Sequence, residues 1–123
     1  MLKIYIFLIT CCLSFYSVAE NRQCEHHPDI VESCYDVEGK LGFYNGSPSV
    51  RIELSSGRVL GISEGRFYKQ GYDNLPANIL KGLNFGLTLN GNFKVCPFTI
   101  EQPKVMRLVC VQSVKNAQLI SRD

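Results

Sequence analysis

Charge of one sign is what this chain most lacks. Its 13 Lys and Arg stand against 11 Asp and Glu. Sequence-independent nucleic-acid binding rests on neutralising several phosphates, and this balance gives such binding no support. Histidine is scarce as well: His26 and His27 lie side by side, and none follows them. No apolar run reaches the roughly 20 residues that a membrane-spanning helix needs; the N-terminal one, Ile4 to Tyr16, falls short. Internal repeats, low-complexity runs and linkers are absent too, which leaves one domain as the expected count.

The N-terminal stretch has a short positive start at Lys3, the apolar run, and Ser17-Val18-Ala19 with small residues at −3 and −1 of a cut before Glu20. That is the pattern of a secretory signal peptide covering 1–19. An uncleaved anchor and a lipid-attachment site at Cys11 or Cys12 are the alternatives. Cleavage removes one base, Lys3, and leaves 12 bases against 11 acids, a near-neutral exported domain.

Behind the cut, 20–33 reads as a polar N-terminal arm with a break at His26-His27-Pro28, and 34–123 as one β domain. From 34 to 44, Tyr35, Val37, Leu41 and Phe43 alternate with Asp36, Glu38, Lys40 and Gly42, the period of a half-buried strand. Gly39 interrupts the apolar face where a strand bends, bulges or admits another backbone. Asn45-Gly46-Ser47-Pro48 is a turn, and Ser49–Leu54 and Arg58–Ile62 give two further strands. Leu75–Leu83 reads as a short helix, capped by Asp73 or Asn74, with Pro76 in its first turn and Ile79, Leu80 and Leu83 on one face. Leu87–Thr99, with an early Asn90-Gly91 break, and Val105–Val114 close the order, and the tail to Asp123 adds a few more paired residues.

The order β-β-β-α-β-β is that of an OB-fold, a small, partly open five-stranded barrel; a five-stranded sandwich with a covering helix is the alternative. The stretches Cys34-Tyr35-x-Val37-x-Gly39-x-Leu41, Tyr44-Asn45-Gly46-x-Pro48-Ser49-x-Arg51-Ile52, Val95-Cys96-Pro97-Phe98-Thr99 and Met106-x-Leu108-Val109-Cys110-Val111 carry a resemblance. In them the chain resembles small uncharacterised exported proteins of Gram-negative bacteria, a likeness that brings no activity with it. As a whole it resembles the bacterial exported OB-fold domains more loosely, which implies a ligand-binding barrel without naming ligand residues.

The mature chain keeps Cys24, Cys34, Cys96 and Cys110, an even set that reads as two disulfides. Cys96 and Cys110 lie seven residues either side of Pro103, so a hairpin about that turn makes them face each other. The expected pairs are therefore Cys96–Cys110 and Cys24–Cys34. The competing arrangement joins Cys24 or Cys34 across the barrel to the fourth strand. Cys24-x-His26-His27 with Cys34 offers zinc-type ligands, but it lacks a second closely spaced pair and an oxidising compartment removes the thiols. No metal and no cofactor are expected.

Gly61-Ile62-Ser63-Glu64-Gly65 matches G-x-S-x-G, yet a nucleophile elbow needs a large α/β sheet and a later His. Asp36 and Glu38 share one strand face and read as ordinary solvated acids. Asn45-Gly46-Ser47 is a glycosylation sequon that a bacterial-type signal makes moot. No catalytic residue is expected. The binding surface is expected in the 63–75 loop, where Tyr68, Lys69 and Tyr72 stand among glycines that neither strand nor helix period requires as core. The sequence thus points to a non-enzymatic, periplasmic or secreted binding domain with an envelope protein or glycan as partner, no nucleic acid and no membrane span after processing. A structural or inhibitory protein capping another envelope protein is the alternative, and a small hydrolase the remote one.

Overall fold

The computed structural model describes residues 19–20 and 22–122. Apart from Ala19, the signal-peptide reading and the lipid-site reading at Cys11 or Cys12 lie outside the described residues. The elements are β1 (Ala19–Glu20), α1 (Arg22–Glu25), β2 (Tyr35–Phe43), β3 (Val50–Leu54), β4 (Val59–Ile62), α2 (Ala77–Gly82), β5 (Leu87–Pro97) and β6 (Arg107–Ser121). The fold is mainly β, and the three early strands, the short helix and the two late strands stand where the residue pattern places them. Two elements are additions. The arm carries β1 and α1; β6 runs on to Ser121, so the paired residues expected in the tail continue the same strand.

Sheet order is β6-β4-β3-β2-β5, with β5 paired in turn to β6, so each of these five strands has a neighbour on both sides. All pairings are antiparallel except β4–β6. Two-residue β1 adds to the outside of β6 at Ser113 and Val114.

Alternation on β2, β3 and β4 sends Leu41, Ile52, Leu60 and Ile62 into one core with Phe93, Val95, Val109, Val111 and Val114. Helix α2 covers it with Ile79 and Leu83, whereas Leu80, expected on that face, is 49% exposed. The expected cap is also different. Pro76 holds the N-cap position without a side-chain bond, because the Asn74 amide is spent on the Ser63 carbonyl instead.

Gly39 lets β3 come close: a Cβ there would lie 2.6 Å from the Glu53 carbonyl oxygen and 2.9 Å from Ile52 Cγ2. Its partner on β5 is Gly91. Beyond Gly91 the β6 register slips between the partners of Asn90 and Asn92, next to Asn116, whose φ is +56°. A bend thus crosses three strands in line.

Strands β5 and β6 bury both faces. Phe93, Val95, Val109 and Val111 enter the main core; Cys96, Phe98, Leu108 and Cys110 point the other way, under the arm, where Cys24, Ile30 and Cys34 cover them. Arg107 fastens the same arm. Only 6% exposed, it donates to Glu32 (2.6 Å) and to the Thr99 carbonyl (2.8 Å). Burial alone would lower the guanidinium pKa, but the bond to Glu32 and the neighbouring Tyr35 outweigh it and the net shift is upward.

The expected disulfides are corrected here. Cys96 and Cys110 do face each other across β5 and β6, but the bonds are Cys24–Cys110 and Cys34–Cys96. Cys34 stands one step beyond the Tyr35–Val95 pair, so Cys96 has a cysteine opposite it on both flanking strands. Bonding to Cys34 leaves Cys110 to Cys24, which the arm carries across the outer face. Sequence separations of 62 and 86 show how far these links reach. Such bonds belong to an oxidising compartment, and no helix among the described residues is long and apolar enough to cross a membrane.

Candidate functional site

The chain between β4 and α2 leaves and rejoins the sheet at adjacent points of β6. Ser63 N donates to the Val109 carbonyl (3.2 Å), and Val111 N donates to the Asn74 carbonyl (2.9 Å). Asn74 Nδ2 closes the neck by donating to the Ser63 carbonyl at 2.9 Å. The excursion between them is folded by two tight turns, Tyr68 N to the Gly65 carbonyl and Tyr72 N to the Lys69 carbonyl, the second using Gly71 at φ +91°.

Three contacts then fix it from outside. Glu64 accepts from Ser49 N (3.1 Å) and Ser49 Oγ (2.6 Å) of the β2–β3 turn. Phe67 stacks on Phe98, with ring planes 8° apart and centroids 4.7 Å apart. Buried His27 reaches in from the arm. Asp29 N donates to its Nδ1 (3.1 Å), so the proton sits on Nε2, which donates to the Phe67 carbonyl at 2.8 Å. The imidazole also lies 5.2 Å from the Tyr72 ring.

Between this loop, β3 and α2 lies a cavity of about 220 Å³. Val50 and Ile62 form its apolar floor, Tyr68 and Leu80 stand at its mouth, and Tyr72 and Asn74 line its side. Asn74 Oδ1 is buried without a hydrogen-bond partner among the described residues. Glu64 and Asp73 add carboxylates to the lining.

The three residues singled out from the sequence separate here. Tyr68, 66% exposed, and Tyr72 border the same cavity, while Lys69 is exposed on the loop but does not line it. Tyr72 is half-buried against His27. Asn74 gave no sequence signal beyond its capping chemistry; its role at the neck depends on β6, some 37 residues away.

The remaining motifs have local explanations. Ser63 of G-x-S-x-G is buried, and its hydroxyl accepts from Phe67 N at 3.3 Å. Cys24 and Cys34 are both in disulfides, His27 is engaged as described, and His26 lies at the surface 3.9 Å from Glu25. Asp36 and Glu38 are exposed on the outside of β2. A second, wider hollow of about 520 Å³ opens elsewhere, between the arm and the β5–β6 turn. Val31, Ile100 and Val105 are each about half exposed around it, and Phe98 lies beneath.

No protein-family model, curated protein or solved structure matches this chain.

Proposed function

We propose that this is an exported, non-enzymatic binding domain of the cell envelope, built as a five-stranded OB-type barrel, whose ligand seats in the cavity between the 63–75 loop and α2. The closed cycle of pairings, with its single parallel pair between the third and fifth long strands, supports the barrel reading. OB-folds commonly bind on the face of their second and third strands, between the flanking loops. Here those are β3 and β4, and that face is occupied from within. A Cβ on Gly61 would lie 2.6 Å from Pro48 and 2.8 Å from Met106, so the two loops rest directly on the strand. The cavity beside Tyr68 lies next to that face, on the other side of Val50 and Ile62.

The observation that carries the reading is the placement of Tyr68 and Tyr72 on the rim of a cavity with an apolar floor of Val50 and Ile62. Aromatic rings take the C–H side of a sugar ring, while polar groups on the rim meet its hydroxyls. At about 220 Å³, the cavity is smaller than the roughly 300–1,000 Å³ of drug-sized sites. It therefore suits one ring, a terminal or branching unit of an envelope glycan. Calorimetric titration with soluble envelope-glycan fragments tests this. Wild type should give saturable heat that Tyr68→Ala abolishes; no heat from wild type sinks the glycan reading.

A second reading, a protein that caps an envelope partner, is favoured by the half-exposed Val31, Ile100 and Val105 around the wider hollow. In that case capture of a protein from envelope extract depends on Ile100 and is indifferent to Tyr68.

A further inference from the structure

Four cysteine sulfurs meet under the arm, and they are not equivalent. Cys24, Cys96 and Cys110 are fully buried, and their three sulfurs lie within 4.8 Å of one another. Cys34, bonded to Cys96, is the half-exposed member. Cys96 is placed between two cysteines, bonded to Cys34 on one side and register partner of Cys110 on the other. Both expected and observed pairings of Cys96 are thus within reach of the same sulfur.

We propose that the two disulfides form a thiol–disulfide relay, which takes electrons from a dithiol at Cys34 and passes the exchange inward to release the arm. One thiolate of the external dithiol attacks the Cys34 sulfur, forming a mixed disulfide and expelling Cys96 as thiolate. Cys96 then attacks the Cys110 sulfur, forming Cys96–Cys110 and expelling Cys24, which takes up the proton. The second thiol of the dithiol attacks its own sulfur in the mixed disulfide, leaving as a cyclic or protein disulfide and freeing Cys34 as a thiol. Two electrons have entered; the protein ends with one disulfide and two thiols.

Cys110 is the preferred target over Cys24 because paired strands hold it opposite Cys96 whatever the arm does. A buried thiolate in apolar surroundings is disfavoured, so Cys96 has reason to close on the neighbouring disulfide rather than persist. Both new thiols, Cys24 and Cys34, belong to the arm or its junction with β2. One reduction therefore cuts both covalent ties between the arm and β5–β6. The same arm carries His27, which holds the Phe67 carbonyl and the Tyr72 ring, so the relay couples redox state to the 63–75 loop.

Limited reduction of the oxidised, folded protein with one equivalent of dithiothreitol, alkylation, and peptide mapping without reduction test the relay. The expected products are alkylated Cys24 and Cys34 together with a cross-linked Cys96–Cys110 peptide. Alkylated Cys34 and Cys96 with Cys24–Cys110 intact would show reduction without transfer and overturn it. So would a Cys24–Cys96 link, or thiols that appear only after denaturant is added. As a separate check, the Cys24→Ser/Cys34→Ser variant, folded in air, should contain the Cys96–Cys110 bond. Free thiols at both positions in a folded variant would refute the transfer step.

Discussion

The imidazole of His27 donates from Nε2 to the Phe67 carbonyl at 2.8 Å, so a residue of the arm holds up a loop 40 positions further along the chain. With Asp29 N on Nδ1 and the rings of Tyr72 and Phe98 against its faces, this side chain has no spare polar atom. It joins the covalently tied arm to the wall of the candidate site.

Replacing His27 by Ala leaves the half-buried Phe67 carbonyl and the Asp29 amide without their partner, a loss of about 1 kcal/mol for each net hydrogen bond. Thermal melting should register the loss. Amide exchange should accelerate at residues 65–72 while β2 and β3 stay protected. Equal acceleration across the whole sheet would mean that His27 supports the core rather than the loop.

Both disulfides close long loops. The loops are nested, with separations of 86 and 62 residues; with one bond in place the other closes a circuit of only about 25 residues, for which the chain-entropy estimate is about 3–4 kcal/mol. Cys24→Ala/Cys110→Ala and Cys34→Ala/Cys96→Ala should each lower the melting temperature by on the order of 20 °C. Peptide mapping of untreated protein should recover Cys24 with Cys110 and Cys34 with Cys96. Recovery of Cys24 with Cys34 would contradict the structure.

Gly39→Ala should destabilise by about 1–3 kcal/mol, the usual range for forcing atoms into a packed site, because the new methyl meets the Glu53 backbone 2.6 Å away. Gly65→Ala is the control: nothing lies within 4 Å of its Cβ position, and its melting curve should overlay wild type. Similar melting of both variants would remove the case for close approach at Gly39.

Tyr68→Ser and Lys69→Ser should each change stability by no more than about 0.5 kcal/mol, as exposed substitutions usually do. Tyr72→Ser should cost more, since its ring packs on His27. Ligand titration should then separate the two exposed positions, with binding lost at Tyr68 and kept at Lys69. Loss at Lys69 alone would move the site out of the cavity.

What the sequence made legible was whatever depends on neighbours in the chain. The alternation of Val50, Ile52 and Leu54, the Asn-Gly turn and the break at Gly39 specify β2 and β3 almost to the residue. The seven-residue symmetry about Pro103 correctly placed Cys96 opposite Cys110. Two disulfides were legible, and a link from Cys34 to the fourth strand stood as the competing arrangement. The choice between pairings was not, because it depends on where a polar arm without strand period crosses the outer face. The length of β6 was legible only in part. Its last residues, Lys115–Ser121, are largely exposed and carry no alternation; pairing with Leu87–Asn92 is what makes them a strand. Leu80 followed the helical period onto the wrong side because six residues of helix leave room for only one buried stripe. Tyr68 and Tyr72 stand out in the sequence as aromatics where no period needs them, and both border the cavity. Asn74 was legible only as a helix cap; its place at the neck depends on its carbonyl meeting Val111 of a distant strand and its amide meeting Ser63.

The separations of the two disulfides also bear on how the protein is made. A chain entering an oxidising compartment N-terminus first delivers Cys24 and Cys34 together, with only each other to bond, long before Cys96 and Cys110 arrive. For such a chain the expected first bond is the non-native Cys24–Cys34, which then has to be exchanged for the native pairs once β5 and β6 are in place. Trapping by alkylation early in oxidative refolding should capture that short loop; its absence at every time point would mean that the sheet assembles before any sulfur is oxidised.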